Sequence, residues 1–144
     1  NRSSLALRED GTVWGWGNGW HGELGADGLE ESVLEPVQVA GLSNIRAIGG
    51  GSYHHLALDV SGTVWAWGQT GLGGAAETPD PFPVEGLTAA GPLPKKTGYH
   101  TVVVKNRKVK AWGVNQNGEV GDGTTTWRTS PVDVIGVDSV TYWP

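Results

Sequence analysis

The chain of 144 residues contains no cysteine and no methionine, and only 1 phenylalanine. The absence of cysteine excludes a disulfide scaffold, a cysteine nucleophile and a cysteine-based zinc site. No apolar run approaches the roughly 18 residues of a membrane-spanning helix, so we predict no membrane insertion. Basic residues are also few, with 10 Lys and Arg against 15 Asp and Glu. Because nucleic-acid phosphates require a broad basic surface, no nucleic-acid partner is predicted.

Glycine and tryptophan are abundant instead, at 24 and 8 residues. Glycine in a helix interior costs about 1 kcal/mol relative to alanine, which argues against long helices. Disordered chains are poor in large aromatic residues, which argues against disorder. The combination predicts an all-β protein of short strands joined by tight turns. The composition leaves the cellular compartment open, and a chain without cysteine is compatible with an extracellular or cell-surface location.

A unit of about fifty residues recurs along the chain. One tryptophan marks the same position in each copy, with 51 residues from Trp16 to Trp67 and 45 from Trp67 to Trp112. Recurrence at a fixed period is the signature of a repeat architecture. We predict a single segment with three repeats, at approximately 1–51, 52–97 and 98–144.

Within each unit the apolar residues alternate with a period of two, which indicates strands rather than helices. Three successive strands are predicted at and just before the second repeat, Ile45–Ile48, Tyr53–Leu58 and Thr63–Trp67. A fourth, outer strand is predicted to begin at a Pro-Val pair in each unit, at residues 36, 83 and 131. Four antiparallel strands per repeat of this length indicate a β-propeller blade.

The recurring residues resemble the repeat of the regulator of chromosome condensation family, whose members are seven-bladed β-propellers. The resemblance rests on Gly51–Leu58, on Gly62–Gly68 and on the loop Asn115–Thr124. It implies four-stranded antiparallel blades that form a three-blade arc of a larger propeller, or of a ring completed by association. The chain would begin after one innermost strand and end with another. Its expected partners therefore include the remaining blades of a parent propeller or further copies of itself.

The same resemblance implies that the partner is another protein. In this family the partners include small GTPases, on which members act as exchange factors, and enzymes that secreted bacterial relatives inhibit. We therefore predict a non-enzymatic protein-binding module, with a guanine-nucleotide exchange factor-like regulator as one alternative. A carbohydrate-binding propeller is a second alternative, in which Trp20, Trp127 or Trp143 would stack on sugar rings.

The binding residues are predicted from blade geometry. In a four-stranded antiparallel blade, the loop between the first two strands and the loop between the last two lie at the same end. Residues with the composition of a protein-recognition surface are expected at this end. These candidates are Trp20, His21, Tyr53, His54, Tyr99, His100, Gln116, Asn117 and Trp127. Alternatively, Tyr53 and Tyr99 only cover the ends of the blades.

No catalytic residue, cofactor or metal ion is predicted. The segment Gly17–Gly22 matches G-x-G-x-x-G, but no amphipathic helix follows to receive a dinucleotide. The Gly49–Gly51 segment is interpreted as a bend where backbones crowd near the propeller axis. Adjacent His54 and His55 point to opposite faces of a strand and cannot simply share one metal ion. We expect His54 to hydrogen-bond the turn of its own blade.

The repeated tryptophans Trp16, Trp67 and Trp112 are expected to pack between blades. Each occupies the same position of its repeat, next to a small residue and before a glycine. Large aromatic side chains at equivalent positions of stacked units are typical of a continuous core.

Overall fold

A computed structural model describes residues 3–25, 32–72, 77–88, 91–94 and 97–140. This part of the chain forms ten strands in three antiparallel sheets. The strands are β1 (Ser3–Leu7), β2 (Val13–Gly17), β3 (Val33–Gln38), β4 (Ile45–Gly50), β5 (His54–Asp59), β6 (Val64–Gly68), β7 (Thr78–Pro83), β8 (His100–Lys105), β9 (Lys108–Gly113) and β10 (Arg128–Asp133). We name the sheets blade 1 (β1–β3), blade 2 (β4–β7) and blade 3 (β8–β10).

The all-β architecture of antiparallel blades confirms the prediction from the sequence. In blade 2 the strands are hydrogen-bonded in chain order, so each strand pairs with the next. The strands β4, β5 and β6 begin at the predicted residue or one residue later. The alternation of apolar residues located them because each strand buries side chains on the faces that meet neighbouring blades.

The outer strands begin earlier than predicted, so that each proline lies inside its strand or at its end. In blade 2 the equivalent of Pro36 and Pro131 is Pro81, and not Pro83 as the sequence suggested. The equivalence follows from matching backbone hydrogen bonds: Val84 N donates to Val64 O, as Val39 N donates to Val13 O in blade 1. In all three blades the register shifts just before this point. A proline without an N–H is tolerated at such a bulge on an edge strand.

Blade 3 carries the irregular segment 91–94 where blade 2 carries β4. Gly91 N donates to Val104 O at 2.7 Å, so the segment runs beside β8. Pro92 and Pro94 lack the N–H groups that a regular ladder requires, and the segment forms no strand. Pro94 instead accepts a hydrogen bond from Gly50 N at 3.2 Å, which ties blade 3 to blade 2.

Two hydrophobic clusters hold the blades together. Blades 1 and 2 meet at a cluster that includes Val13 and Trp67, and blades 2 and 3 at one that includes Leu56 and Trp112. Trp67 and Trp112 are fully buried, which confirms the predicted packing between blades. Trp16 is only half-buried, because it lies on the face of β2 opposite to Val13 and therefore away from blade 2.

Candidate functional site

Most of the loops that contain the predicted binding residues lie at one end of the three blades. At this end β2 finishes and β3 starts, since Gly17 pairs with both Ser3 and Val33. The same arrangement recurs around Gly68 in blade 2 and Gly113 in blade 3. We call this end of the blades the rim. Every predicted binding residue has its backbone at this end, either in a loop or at the first residue of a strand, but the His54 side chain is buried between blades.

A row of aromatic rings crosses the rim from blade to blade. The His21 ring meets the Tyr53 ring edge-on, with centroids 4.9 Å apart and planes inclined by 79°. The Tyr53 and Tyr99 rings follow at 5.3 Å and 34°. A hydrogen bond with Tyr53 raises the pKa of the exposed Tyr99 hydroxyl. The three rings come from blades 1, 2 and 3, so the row spans the described arc.

The β2–β3 loop holds Trp20 and His21 in fixed positions. The Asn18 side chain accepts a hydrogen bond from Trp20 N at 3.0 Å, and Glu23 accepts one from His21 N at 2.8 Å. The His21 ring lies 2.7 Å from a carboxylate oxygen of Glu77 in blade 2. Trp20 remains 66% exposed. A groove of about 460 Å³ opens beside it, lined by Asn18, Trp20, His21, Glu23, Ser32 and Tyr53.

The corresponding loop of blade 3 is held by its own hydrogen bonds. Buried Asn115 donates to the carbonyl oxygens of Thr124 and Thr126, each at 3.0 Å. Asp122 pairs with Arg128 across the loop. A hydrogen bond from the Thr124 hydroxyl, aided by Arg128, lowers the pKa of Asp122 to about 2.

The exposed candidates of blade 3 lie on this braced loop or directly after it. Gln116 and Asn117 are exposed, and Trp127 is 55% exposed. The three side chains therefore stand on a fixed backbone at the outer part of the rim. His100, the first residue of β8, is half-buried. Trp143, the third sugar-stacking candidate, lies outside the described residues.

His54 is placed differently from the other candidates. The sequence puts it on the rim, bonded to the turn of its own blade, whereas the structure buries it between blades 2 and 3, where it is 2% exposed. Its Nε2 atom lies 2.8 Å from Thr101 Oγ1 in blade 3. The first residue of β5 faces the next blade rather than the loop, and this direction depends on a neighbour that the local sequence does not specify.

His55 makes the matching contact on the other side of blade 2. Its Nε2 atom lies 3.0 Å from Ser3 Oγ in blade 1. The two histidines therefore point to opposite faces, as strand geometry predicted. The pKa of His54 is lowered to about 4, mainly because the ring is buried and to a smaller extent because His100 is nearby. The pKa of His55 is lowered to about 3, again mainly by burial and to a smaller extent by the adjacent His54.

These two histidines predict a loss of stability in mild acid. An exposed histidine in the unfolded chain has a pKa near 6.5, so the unfolded state takes up protons first as the pH falls. We expect the contribution of the two histidines to the free energy of unfolding to be at its maximum above pH 6.5. Below it, stability should fall by about 1.4 kcal/mol per pH unit for each histidine, until pH approaches the folded-state pKa.

Urea unfolding measured between pH 7.5 and 4.5 tests this expectation. Most of that range lies above the pH at which the aspartates with lowered pKa, such as Asp122, lose their charge. His54→Gln and His55→Gln should each flatten the pH dependence, while His100→Gln removes a half-buried imidazole and serves as the matched control. A profile that is equally steep in all four proteins would contradict the assignment.

Sequence reasoning missed two acidic residues beside the row, Glu23 and Glu77. Glu23 could have been found from the repeat, because it matches Glu119 in the loop of blade 3. Glu77 precedes β7, in a stretch where the repeat is poorly kept, and only the folded structure brings it to His21.

Among the described residues, no group of three or more His, Asp and Glu side chains could hold a metal ion. No helix in that part of the chain is long and apolar enough to cross a membrane.

Two family models match the chain. Both carry the description of the regulator of chromosome condensation (RCC1) repeat, and they match residues 10–58 and 45–73. The chain is 33% identical over 143 residues to the human E3 ubiquitin-protein ligase HERC2, covering 94% of this chain and 3% of HERC2. It is 30% identical over 148 residues to the ultraviolet-B receptor UVR8 of Arabidopsis thaliana, covering 95% of this chain and 33% of UVR8.

Solved structures share the same fold. Yeast RCC1 (Prp20) bound to Kap60 superposes with a TM-score of 0.79 at 21% identity, over 93% of this chain and 35% of that one. Human WBSCR16 superposes with a TM-score of 0.77 at 24% identity, over 92% of this chain and 37% of that one. The chain thus spans well under two thirds of the length of each of these relatives. With its recurring blades and these matches, the chain carries repeats of the regulator of chromosome condensation (RCC1) type.

Proposed function

We propose that the chain is a non-enzymatic protein-binding module that contacts its partner through the rim. The observation that carries the proposal is the row of His21, Tyr53 and Tyr99, whose rings touch across three blades. Tyrosine and tryptophan are enriched at binding hot spots, since they offer large apolar contact with few rotamers to fix. Tyr99, Trp20 and Trp127 are all exposed on the same end.

The relatives support a protein partner without identifying it. One yeast structure is of Prp20 bound to Kap60. The other was reported together with the binding of Prp20 to Gsp1p and histones. Their identity to this chain, at 21% and 20%, supports the fold alone. The ligase activity in the name of HERC2 belongs to a protein of which this chain spans 3%. We therefore propose protein binding as the function and carry over neither ligase nor exchange activity.

The aromatic row supplies a direct test. The double variant Tyr53→Ala, Tyr99→Ala removes two of the three rings of the row, and we expect the affinity for a protein partner to fall at least about thirtyfold, the loss typical of a hot spot. A partner would be identified by cross-linking and mass spectrometry with the wild-type protein. Its dissociation constant would then be measured by calorimetry for each variant.

Val60→Ala is the matched control, because Val60 is 67% exposed and lies at the opposite end of blade 2, beyond the last residue of β5. This variant should bind the partner like the wild type. A partner that binds the double variant with full affinity would contradict the proposal. So would a glycan array that shows micromolar sugar binding dependent on Trp20, which would favour the carbohydrate-binding alternative.

A further inference from the structure

The groove beside Trp20 combines an aromatic side with a carboxylate. Trp20 and Tyr53 supply the aromatic rings, and Glu23 supplies the acidic group. Glu23 lines the groove although it is only 2% exposed. A carboxylate that is largely removed from water is costly unless hydrogen bonds or an opposite charge compensate it. The groove therefore contains a charged group whose environment favours a cation.

Comparison of the two equivalent loops shows that, among the described residues, this carboxylate accepts fewer hydrogen bonds than its counterpart. In blade 3, Glu119 accepts hydrogen bonds on both oxygens, from Asn117 N at 2.8 Å and from Asn117 Nδ2 at 3.0 Å. In blade 1, Glu23 Oε2 accepts the matching bond from His21 N at 2.8 Å. The His21 ring turns away to Glu77, and no described residue donates to Glu23 Oε1.

The groove is also rigid on the side that carries this carboxylate. The backbone oxygen of Glu23 accepts a hydrogen bond from the fully buried Trp67 Nε1 at 2.9 Å, which fixes the loop to blade 2. The ring of His21 is held between Glu77 and Tyr53. A site that is already ordered loses little conformational entropy when a ligand binds.

We propose that this groove binds the guanidinium group of an arginine side chain that the partner protein presents. The inference rests on the proposed function, because it specifies the chemistry that the rim recognises. A guanidinium is planar and stacks on aromatic rings, and its N–H groups bond carboxylate oxygens in a fixed geometry. It would stack against Trp20, which is 66% exposed, and donate to the open oxygen of Glu23. The chain's net charge of −5 favours the approach of a basic partner.

Nuclear magnetic resonance of the indole N–H of Trp20 tests the proposal with small peptides. The probes are acetyl-Gly-Arg-Gly-amide and the same peptide with citrulline, which has the shape of arginine without its charge. The Trp20 resonance is assigned with a Trp20→Phe variant. We expect the arginine peptide to shift this resonance in a saturable manner and the citrulline peptide to leave it unchanged.

Two variants separate the roles of charge and ring. Glu23→Gln keeps an acceptor for His21 N but removes the charge. It should lower the affinity for the arginine peptide about tenfold. Trp20→Ala, followed through backbone resonances of Ser32 and Tyr53, should weaken it about threefold. Thermal unfolding of each variant verifies that the fold is retained, and Val60→Ala serves as the unaffected control.

Equal binding of the arginine and citrulline peptides would overturn the proposal, as would full affinity in a folded Glu23→Gln variant. A neutral oligosaccharide such as cellotetraose that shifts the Trp20 resonance at lower concentration than the arginine peptide would overturn it in favour of a sugar site. The result is distinguishable from a failure of the proposed function. Suppose that a protein partner fails to bind the Tyr53→Ala, Tyr99→Ala variant but still binds Glu23→Gln with full affinity. The proposal of binding through the rim would then stand, and only the arginine site would be refuted.

Discussion

Replacing Trp67 with alanine is expected to lower the free energy of unfolding by about 4 kcal/mol, the range for a fully buried aromatic residue. Trp67 fills the cluster between blades 1 and 2 and makes two kinds of contact there. Its ring packs among apolar side chains such as Val13 and Ala57, and its Nε1 atom donates to Glu23 O at 2.9 Å. The alanine variant would leave both a cavity and a buried carbonyl without its donor.

Urea unfolding followed by tryptophan fluorescence measures this loss. Trp67→Phe retains an apolar ring but removes the hydrogen bond, and should show an intermediate loss of about 2 kcal/mol. Trp127→Ala removes the same chemical group from an exposed position and should change stability by less than about 0.5 kcal/mol. If the variants at 67 and 127 lost stability equally, the packing between blades 1 and 2 would not be the main support of the arc.

Gly49→Ala is expected to cost about 3 kcal/mol, at the upper end of the range for overpacking. A Cβ atom at Gly49 would lie 2.3 Å from the carbonyl oxygen of Pro94 and 3.0 Å from Leu93 Cβ. The oxygen belongs to the backbone, so relief requires the segment 91–94 to move away from β4. That movement would also break the hydrogen bond from Gly50 N to Pro94 O. The crowding at Gly49 agrees with the predicted close approach of backbones, but Gly49 and Gly50 are the last two residues of β4 and do not form the predicted bend.

Gly98→Ala is the matched control for this variant. Gly98 has an ordinary backbone conformation, and the atom nearest to a Cβ there would be His100 Nδ1 at 3.9 Å. We expect a change in stability within about 0.5 kcal/mol. Thermal unfolding of both variants at one pH gives the comparison. A Gly49→Ala protein as stable as the Gly98→Ala protein would show that blade 3 can shift freely against blade 2.

Much of the fold is predictable from the sequence because the repeat supplies the same evidence several times. The strand pattern around Trp67 recurs around Trp16 and Trp112, so a weak signal in one copy is supported by the others. The prediction that Pro83 matches Pro36 was wrong because blade 2 has three prolines near its outer strand. Only the bulge and the hydrogen bond of Val84 determine which proline matches Pro36.

The candidate site was predictable in its location but not in its contacts. Strand order alone places the loops of Trp20, Tyr53 and Tyr99 at one end. The pairing of His21 with Glu77 depends on two loops in different blades, and no periodicity reports such a contact. The burial of His54 likewise depends on Thr101, which is 47 residues away in the chain. Interactions between blades are therefore the part that local patterns leave undetermined.

The hydrogen bonds between blades also restrict how this protein can evolve. Ser3 meets His55 and His54 meets Thr101, so each junction joins one imidazole ring to one short hydroxyl side chain. A tandem duplication of blade 2 would set two imidazole rings against each other at the new junction, and a duplication of blade 1 would oppose two serines. One junction would be overfilled and the other would contain a gap. Blades 1 and 2 of this chain therefore cannot be duplicated singly without compensating changes at the new junction.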